Sequence, residues 1–365
     1  MRAITFAFSV SVAAACVNSS DCSLNGQCVQ NVCSCRPGWV NTACAALDLA
    51  PVDPYAGRNG LAEGSSSWGG GVLEDDGGTY HLYYSKMVDG CTLAQWQTNS
   101  ACWHATSASA SGPFTDSDQV LDAFCHNAVP ARAPDGTWLL FHIGCGGGAP
   151  PKNCSAGGAH EEGHETAEAS CVGGGLAPRV LSAPAPGGPW TPLNGGDPIL
   201  NGTANAWDNS ITNVAPWIEP DGSVLLAFRG KDTARHELLG VAQAPSWRGP
   251  YEKTLPGPII SASGEDPVPF RDSDGFYHIL FHDFSGFNGG HAFATSWGGP
   301  WTYASAPAYN LSITWVNGTT DVLSRRERPQ LFFEGGQPAY LYNGVVARAD
   351  ASTSASFTTA AKVRI

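Results

Sequence analysis

Basic residues are scarce in this chain: 19 Lys and Arg stand against 32 Asp and Glu, a net charge of -13 over 365 residues. A surface so short of positive charge argues against nucleic acid and anionic membrane as partners. Charge of either sign is also scarce, at 14%, which speaks against a helical or disordered chain. Beyond the first dozen residues no apolar run approaches the ~20 residues a helix needs to cross a bilayer, so no membrane span is expected. What the chain has in quantity is Gly, at 44, with 12 Trp and 12 Cys. That composition suits a loop-rich all-β protein, and the length is enough to bury a substantial core.

One pattern recurs along the chain. In Glu265-Asp266-Pro267 through Asp274-Gly275-Phe276-Tyr277-His278-Ile279-Leu280-Phe281-His282, a polar opening with proline leads to an acidic-Gly turn and then an aromatic and apolar run. Such a unit reads as a β-hairpin. The order repeats from Asn127 through Asp135-Gly136 to Phe141, and from Asn213 through Asp221-Gly222 to Phe228. Looser copies run from Trp68 to Tyr84 and from Glu327 to Tyr342. The first four hairpins are each followed at a distance by a turn dipeptide and an aromatic: Gly112-Pro113-Phe114, Gly188-Pro189-Trp190, Gly249-Pro250-Tyr251 and Gly299-Pro300-Trp301. Five such units predict a five-bladed β-propeller.

Met1-Arg2, the apolar residues 3–12 and Ala13-Ala14-Ala15 read as a signal peptide over 1–15, so a secreted, extracellular protein is expected. A lipidated Cys16 is the rival reading of that leader. Cys16, Cys22, Cys28, Cys33, Cys35 and Cys44 crowd a segment too short for a core of its own, which disulfides must hold. Their spacing, with Cys35-Arg36-Pro37-Gly38-Trp39, resembles an EGF-like module, and that resemblance implies bridges Cys16–Cys28, Cys22–Cys33 and Cys35–Cys44. The expected organisation is therefore a signal peptide (1–15), an EGF-like module (16–47) and the propeller (48–365), acting as a monomer. Of the remaining six cysteines, Cys91 with Cys102 and Cys154 with Cys171 are the expected pairs. Sequons at Asn18, Asn153, Asn201, Asn310 and Asn317 fit a secreted glycoprotein.

In a propeller the innermost strands begin at the rim of a central channel, so equivalent positions of all blades meet there. Counting back from the acidic-Gly turns, those positions are Trp68, Asn127, Asn213, Asp266 and Glu327. The repeat, the Asp266-Pro267 opening and the Gly-Pro-aromatic blade ends resemble the five-bladed propeller glycoside hydrolases: the arabinofuranosidase and xylosidase families and the related invertase-like fructofuranosidases. The resemblance covers roughly residue 48 to the C-terminus. It implies a secreted hydrolase of furanoside or pentoside bonds in an extracellular polysaccharide, with Glu327 as general acid and Asp266 as the orienting carboxylate. It implies no required cofactor; some members hold a structural calcium in the channel, and the sequence leaves that open here. The pattern breaks where the family needs a third aspartate, because Asn213 stands there and an amide is no base. Asp208 and Glu63 are the substitutes considered.

Two carboxyl groups in different protonation states are needed across a glycosidic bond. Strand alternation sets Arg325 on the face of Glu327, and Arg326 and Arg328 on the other. His126, His142, Arg229, His282 and His291 are candidate contacts to sugar hydroxyls, and Trp68, Trp207 and Trp217 candidate stacking surfaces. No metal ligand set is assigned. His160-Glu161-Glu162-Gly163-His164 matches the spacing of a zinc peptidase, but the glycine-rich surroundings read as a loop, whereas that chemistry needs a helix. The alternative to a hydrolase is a non-catalytic carbohydrate-binding or adhesion protein that kept the propeller without the base.

Overall fold

The computed structural model describes residues 16–147, 152–154, 171 and 174–365. The expected leader and the motif at His160–His164 lie outside the described residues. The first part of the chain forms two small hairpins, β1 (Gly26–Val29) with β2 (Val32–Cys35) and β3 (Trp39–Val40) with β4 (Ala46–Leu47). Bridges Cys16–Cys28, Cys22–Cys33 and Cys35–Cys44 hold them, in the pairing expected.

Five antiparallel sheets follow. The first blade is β5 (Ser66–Glu74), β6 (Tyr80–Met87), β7 (Ser100–Ser107) and β8 (Thr115–Leu121). The second is β9 (Cys125–Arg132), β10 (Trp138–Gly144), β11 (Pro178–Ala183) and β12 (Thr191–Pro192). The third is β13 (Ser210–Ile218), β14 (Val224–Lys231), β15 (Glu237–Ala244) and β16 (Glu252–Lys253). The fourth is β17 (Gly264–Arg271), β18 (Tyr277–Asp283), β19 (Asn288–Ala294) and β20 (Thr302–Tyr303). A short hairpin, β21 (Ser312–Thr314) and β22 (Thr320–Val322), precedes the three-stranded fifth blade, β23 (Arg325–Glu334), β24 (Gln337–Val346) and β25 (Ser356–Lys362). The five-bladed propeller is the architecture the repeats predict.

The reason lies in the second strand of each blade. Leu82, Leu140, Leu226, Leu280 and Leu341 are all fully buried there, and so are Tyr83, Phe141, Phe228, Phe281 and Tyr342. Neighbouring side chains alternate faces along a strand, so in four blades the two fill both interfaces with the adjoining blades, whereas in β14 Leu226 and Phe228 share one face and Leu225 and Ala227 fill the other. Each contributes about 1.5–3 kcal/mol of burial. The Asp-Gly turns supply the sharp reversal, with Gly136, Gly222 and Gly275 at positive φ.

The second set of cysteines corrects the expected pairs. Cys91 joins Cys154, Cys102 joins Cys125, and Cys145 joins Cys171. Cys102 sits within β7 and faces β9 of the next blade, so its partner is a neighbour across the blade interface, which sequence proximity does not reveal.

Candidate active site at the channel mouth

Every innermost strand breaks its ladder at the same place. Pairing skips between Trp68 and Gly71, Thr212 and Ala215, Glu265 and Val268, and Glu327 and Gln330, and β9 shifts register likewise between His126 and Val129. The first residue of each bulge takes a left-handed conformation: Gly69 (φ 59), Asn127 (φ 60), Asn213 (φ 49), Asp266 (φ 56) and Arg328 (φ 56). Gly, Asn and Asp are the residues that adopt it with least strain, which explains four of the five. The converging set is therefore Gly69, Asn127, Asn213, Asp266 and Arg328. Trp68 and Glu327 stand one residue earlier, level with His126, Thr212 and Glu265.

These residues make a polar floor. Asn127 donates its amide to Asn213 Oδ1, and Asn213 donates to Asp266 Oδ1 at 2.6 Å. Arg328 Nη1 donates to the same Asp266 oxygen at 2.6 Å. The alternation rule sends Arg328 away from the channel, but its bulge turns it inward. Its side chain fills the space over Gly69, where an added Cβ would lie 3.0 Å from Arg328 Cβ.

The preceding residues form the wall. Glu265 accepts from Arg229 and, at 3.2 Å, from Asn213 Nδ2. Both oxygens of Glu327 accept from Arg325, at 2.6 and 2.9 Å, and the Arg325 guanidinium lies 5.1 Å over the Trp68 ring. His282 Nδ1 stands between the two glutamates, 3.6 Å from Glu265 and 3.9 Å from Glu327, too far for a direct hydrogen bond to either. A cavity of about 120 Å³ opens here, lined by Trp68, Leu93, Trp96, His126, Asn127, Asn213, Arg229, Arg325, Arg328 and the three acids.

The acids are held in different states. Burial works to raise Glu265, but Arg229, His282 and Arg328 outweigh it and hold its carboxyl well below the usual range. Burial pushes Asp266 up, reinforced by Glu265 and Glu327 and opposed by Arg328 and His282. Burial works to lower His282, yet the surrounding acids raise it above an ordinary imidazole. Two neighbouring carboxyls whose environments separate their protonation are the raw material of acid and base catalysis.

The ligand atoms of Glu265, Asp266, His282 and Glu327 lie within 4.8 Å of one another, close enough to surround a cation. Calcium asks for six to eight oxygen ligands. Here Arg229, Arg325 and Arg328 pair with the carboxylates, and no step is derived through a cation.

Other candidates lie elsewhere. Asp208 is buried in an ion pair with Lys253, on the outermost strand of the third blade. It does not line the cavity. His291 bonds His278 at 3.0 Å and stacks on Trp39 at 5.2 Å, in the packing beneath the N-terminal hairpins. Glu63 is exposed and pairs with Arg58. His142 is buried, 3.6 Å from the Sγ of Cys125. Trp207 stacks on Phe228, and Trp217 packs edge-on against Phe333. Trp68, His126, Asn127, Asn213, Arg229, Asp266 and Glu327 do line the cavity, and His282 stands against its acids.

Glu265 is the residue that counting from the acidic-Gly turn misses. Its signal is nevertheless in the sequence: Glu265-Asp266-Pro267 and Glu327-Arg328-Pro329 align on their prolines, which makes the two glutamates equivalent.

With this geometry in hand, comparison with solved structures is decisive for the fold. Zg3597, a family 117 glycoside hydrolase produced by the marine bacterium Zobellia galactanivorans, matches with a TM-score of 0.58 at 14% identity, over 88% of this chain and 90% of its own. The fold is that of the five-bladed propeller glycoside hydrolases. The GH43_1 enzyme of Xanthomonas citri, solved with xylotriose, matches at 0.52 and 14% identity over 86% of this chain and 89% of its own. The catalytic domain of the Coprinopsis cinerea GH62 α-L-arabinofuranosidase matches at 0.53 and 13% over 82% and 90%. No protein-family model and no curated protein matches the chain by sequence.

Proposed function

We propose that this protein is a secreted, monomeric glycoside hydrolase that cleaves a furanoside or pentoside bond of an extracellular polysaccharide. The observation that carries the reading is the meeting of Glu265, Asp266 and Glu327 at the mouth of a hydrolase-type propeller, beside Trp68 and Trp96. Glu265, held ionised by Arg229, supplies the carboxylate that the Asn213 position lacks and acts as base or nucleophile. Glu327 is the proton donor to the leaving group, and Asp266 the orienting carboxyl on the floor. Arg325 must leave Glu327 as substrate enters; its side chain is 45% exposed and has room to swing. Six bridges and the sequons suit an oxidising compartment.

The reading is tested by incubating the purified protein with aryl furanosides, aryl pyranosides and plant or algal polysaccharides, beside Glu327→Gln and Glu265→Gln. Product from the wild type and a loss of at least ~100-fold in each variant is expected. A second reading, a carbohydrate-binding or adhesion protein, is favoured by one observation: each acid is already neutralised by an arginine. It predicts no product from any substrate and glycan binding that survives both substitutions.

A further inference from the structure

Ser100, at the start of β7, sets its hydroxyl between two groups of β9. Its Oγ lies 2.8 Å from the carbonyl oxygen of Cys125 and 2.6 Å from Nδ1 of His126. A carbonyl can only accept, so the single hydroxyl hydrogen is committed to Cys125. The Ser100 oxygen then receives its second hydrogen bond from His126, and Nδ1 carries the ring proton. The other nitrogen, Nε2, is left as a bare acceptor in a neutral imidazole. Burial keeps the ring neutral, with Arg328 and Arg325 adding to the effect and Glu265 opposing it.

The ring is also fixed in place. Trp96 tilts over it at 4.8 Å and Phe124 stacks at 6.4 Å. His126 lines the cavity although only 5% exposed, and among the described residues its one side-chain hydrogen bond is the one to Ser100. The three carboxylates of the cavity are occupied by guanidinium and amide donors. Among the described residues no protein group donates to His126 Nε2, on a ring that lines the cavity.

We propose that His126 Nε2 accepts a hydrogen bond from one hydroxyl of the bound sugar, with Ser100 as the positioning residue that fixes its tautomer. This rests on the carbohydrate reading of the site and adds a specificity: a sugar with a free hydroxyl at that position is selected over its deoxy or O-methyl counterpart. One hydrogen bond of this kind is worth about tenfold in binding.

The tautomer is tested without any ligand, by ring-nitrogen NMR of protein labelled with 15N-histidine. The Nδ1–H form is expected for His126, replaced by a mixture in Ser100→Ala, which keeps the ring in its pocket. L-Arabinose, D-xylose, D-galactose and D-fructose are then titrated while Nε2 is followed. At least one should move that resonance, and bind about tenfold more weakly to His126→Phe and several-fold more weakly to Ser100→Ala. An Nε2–H tautomer in the free protein overturns the acceptor role, whatever sugar binds. So does a sugar that binds without moving Nε2 and equally well to both variants. Failure of all four sugars to bind a protein with the Nδ1–H form overturns the carbohydrate reading, and the role with it.

Discussion

Arginine decides the character of the site at the scale of single residues. Arg229 faces Glu265 and, at 3.2 Å, Glu237. Arg229→Met would leave both acids without that partner, and about 3 kcal/mol of stability should be lost in urea unfolding. The two neighbouring acids respond to pH in opposite senses. Glu265, with its folded pKa lowered, contributes stability that is present above its unfolded value and lost as pH falls through the folded one. Asp266, with its folded pKa raised, contributes stability present at low pH and lost as pH rises through its folded value. Asp266→Asn removes the second contribution and leaves Glu265 with its arginine. The stability of that variant relative to wild type should therefore rise between pH 4 and pH 7 in urea unfolding at several pH values, and a fall over that range would overturn the assignment. Because the guanidinium groups hold the places a cation would take, a chelator should leave the unfolding midpoint unchanged. A fall in that midpoint would mean that a bound ion displaces at least one arginine.

The bulges and the loop beside the cavity act at the scale of the element. Gly69→Ala places a methyl against Arg328 at a left-handed position. It should cost about 1 kcal/mol and, by pushing Arg328 off Asp266, lower turnover more than its effect on stability accounts for. Leu93 and Trp96 come from the segment after β6, which Cys91–Cys154 ties to the segment beyond β10. Replacing both cysteines by serine opens a 63-residue loop, and about 3 kcal/mol should go with it. Hydrogen exchange in residues 88–99 should rise in that variant before exchange in β5 or β9 does. Hairpin pattern and acidic-Gly turns are local, so the elements were legible from sequence. The bulges were not, because an extra residue in a strand leaves no mark in a two-residue alternation, and this is why Arg328 and Glu265 were misplaced or missed.

Whole-molecule stability involves both ends of the chain. Arg58 bridges Thr358 and Leu49 bridges Val363, so the segment leading into the first blade runs along β25 and helps close the ring. The N-terminal hairpins dock on the fourth blade. Trp39 stacks on His291 and Phe270, and Arg36 pairs with Asp272 and Asp274. Trp39→Ala should cost about 3 kcal/mol and raise hydrogen exchange in the hairpins and the fourth blade together. Protection in the second blade should be unaffected. Among the described residues no helix is long and apolar enough to cross a membrane.

The sequence by itself determined the number of blades and the inner hairpin of each, because these rest on periodicity and turn chemistry, and its resemblance to an EGF-like module implied the pairing of the first six cysteines that the structure has. It also marked Asp266 and Glu327 by their prolines. Tertiary structure alone decided which side chains share a cavity. It set Asp208 beside Lys253 and His291 beneath Trp39, joined cysteines across blades, and brought Glu265, Arg229 and Arg328 to the channel. Those outcomes depend on the bulge at the head of each inner strand and on contacts between blades, and both are fixed only when the ring is closed.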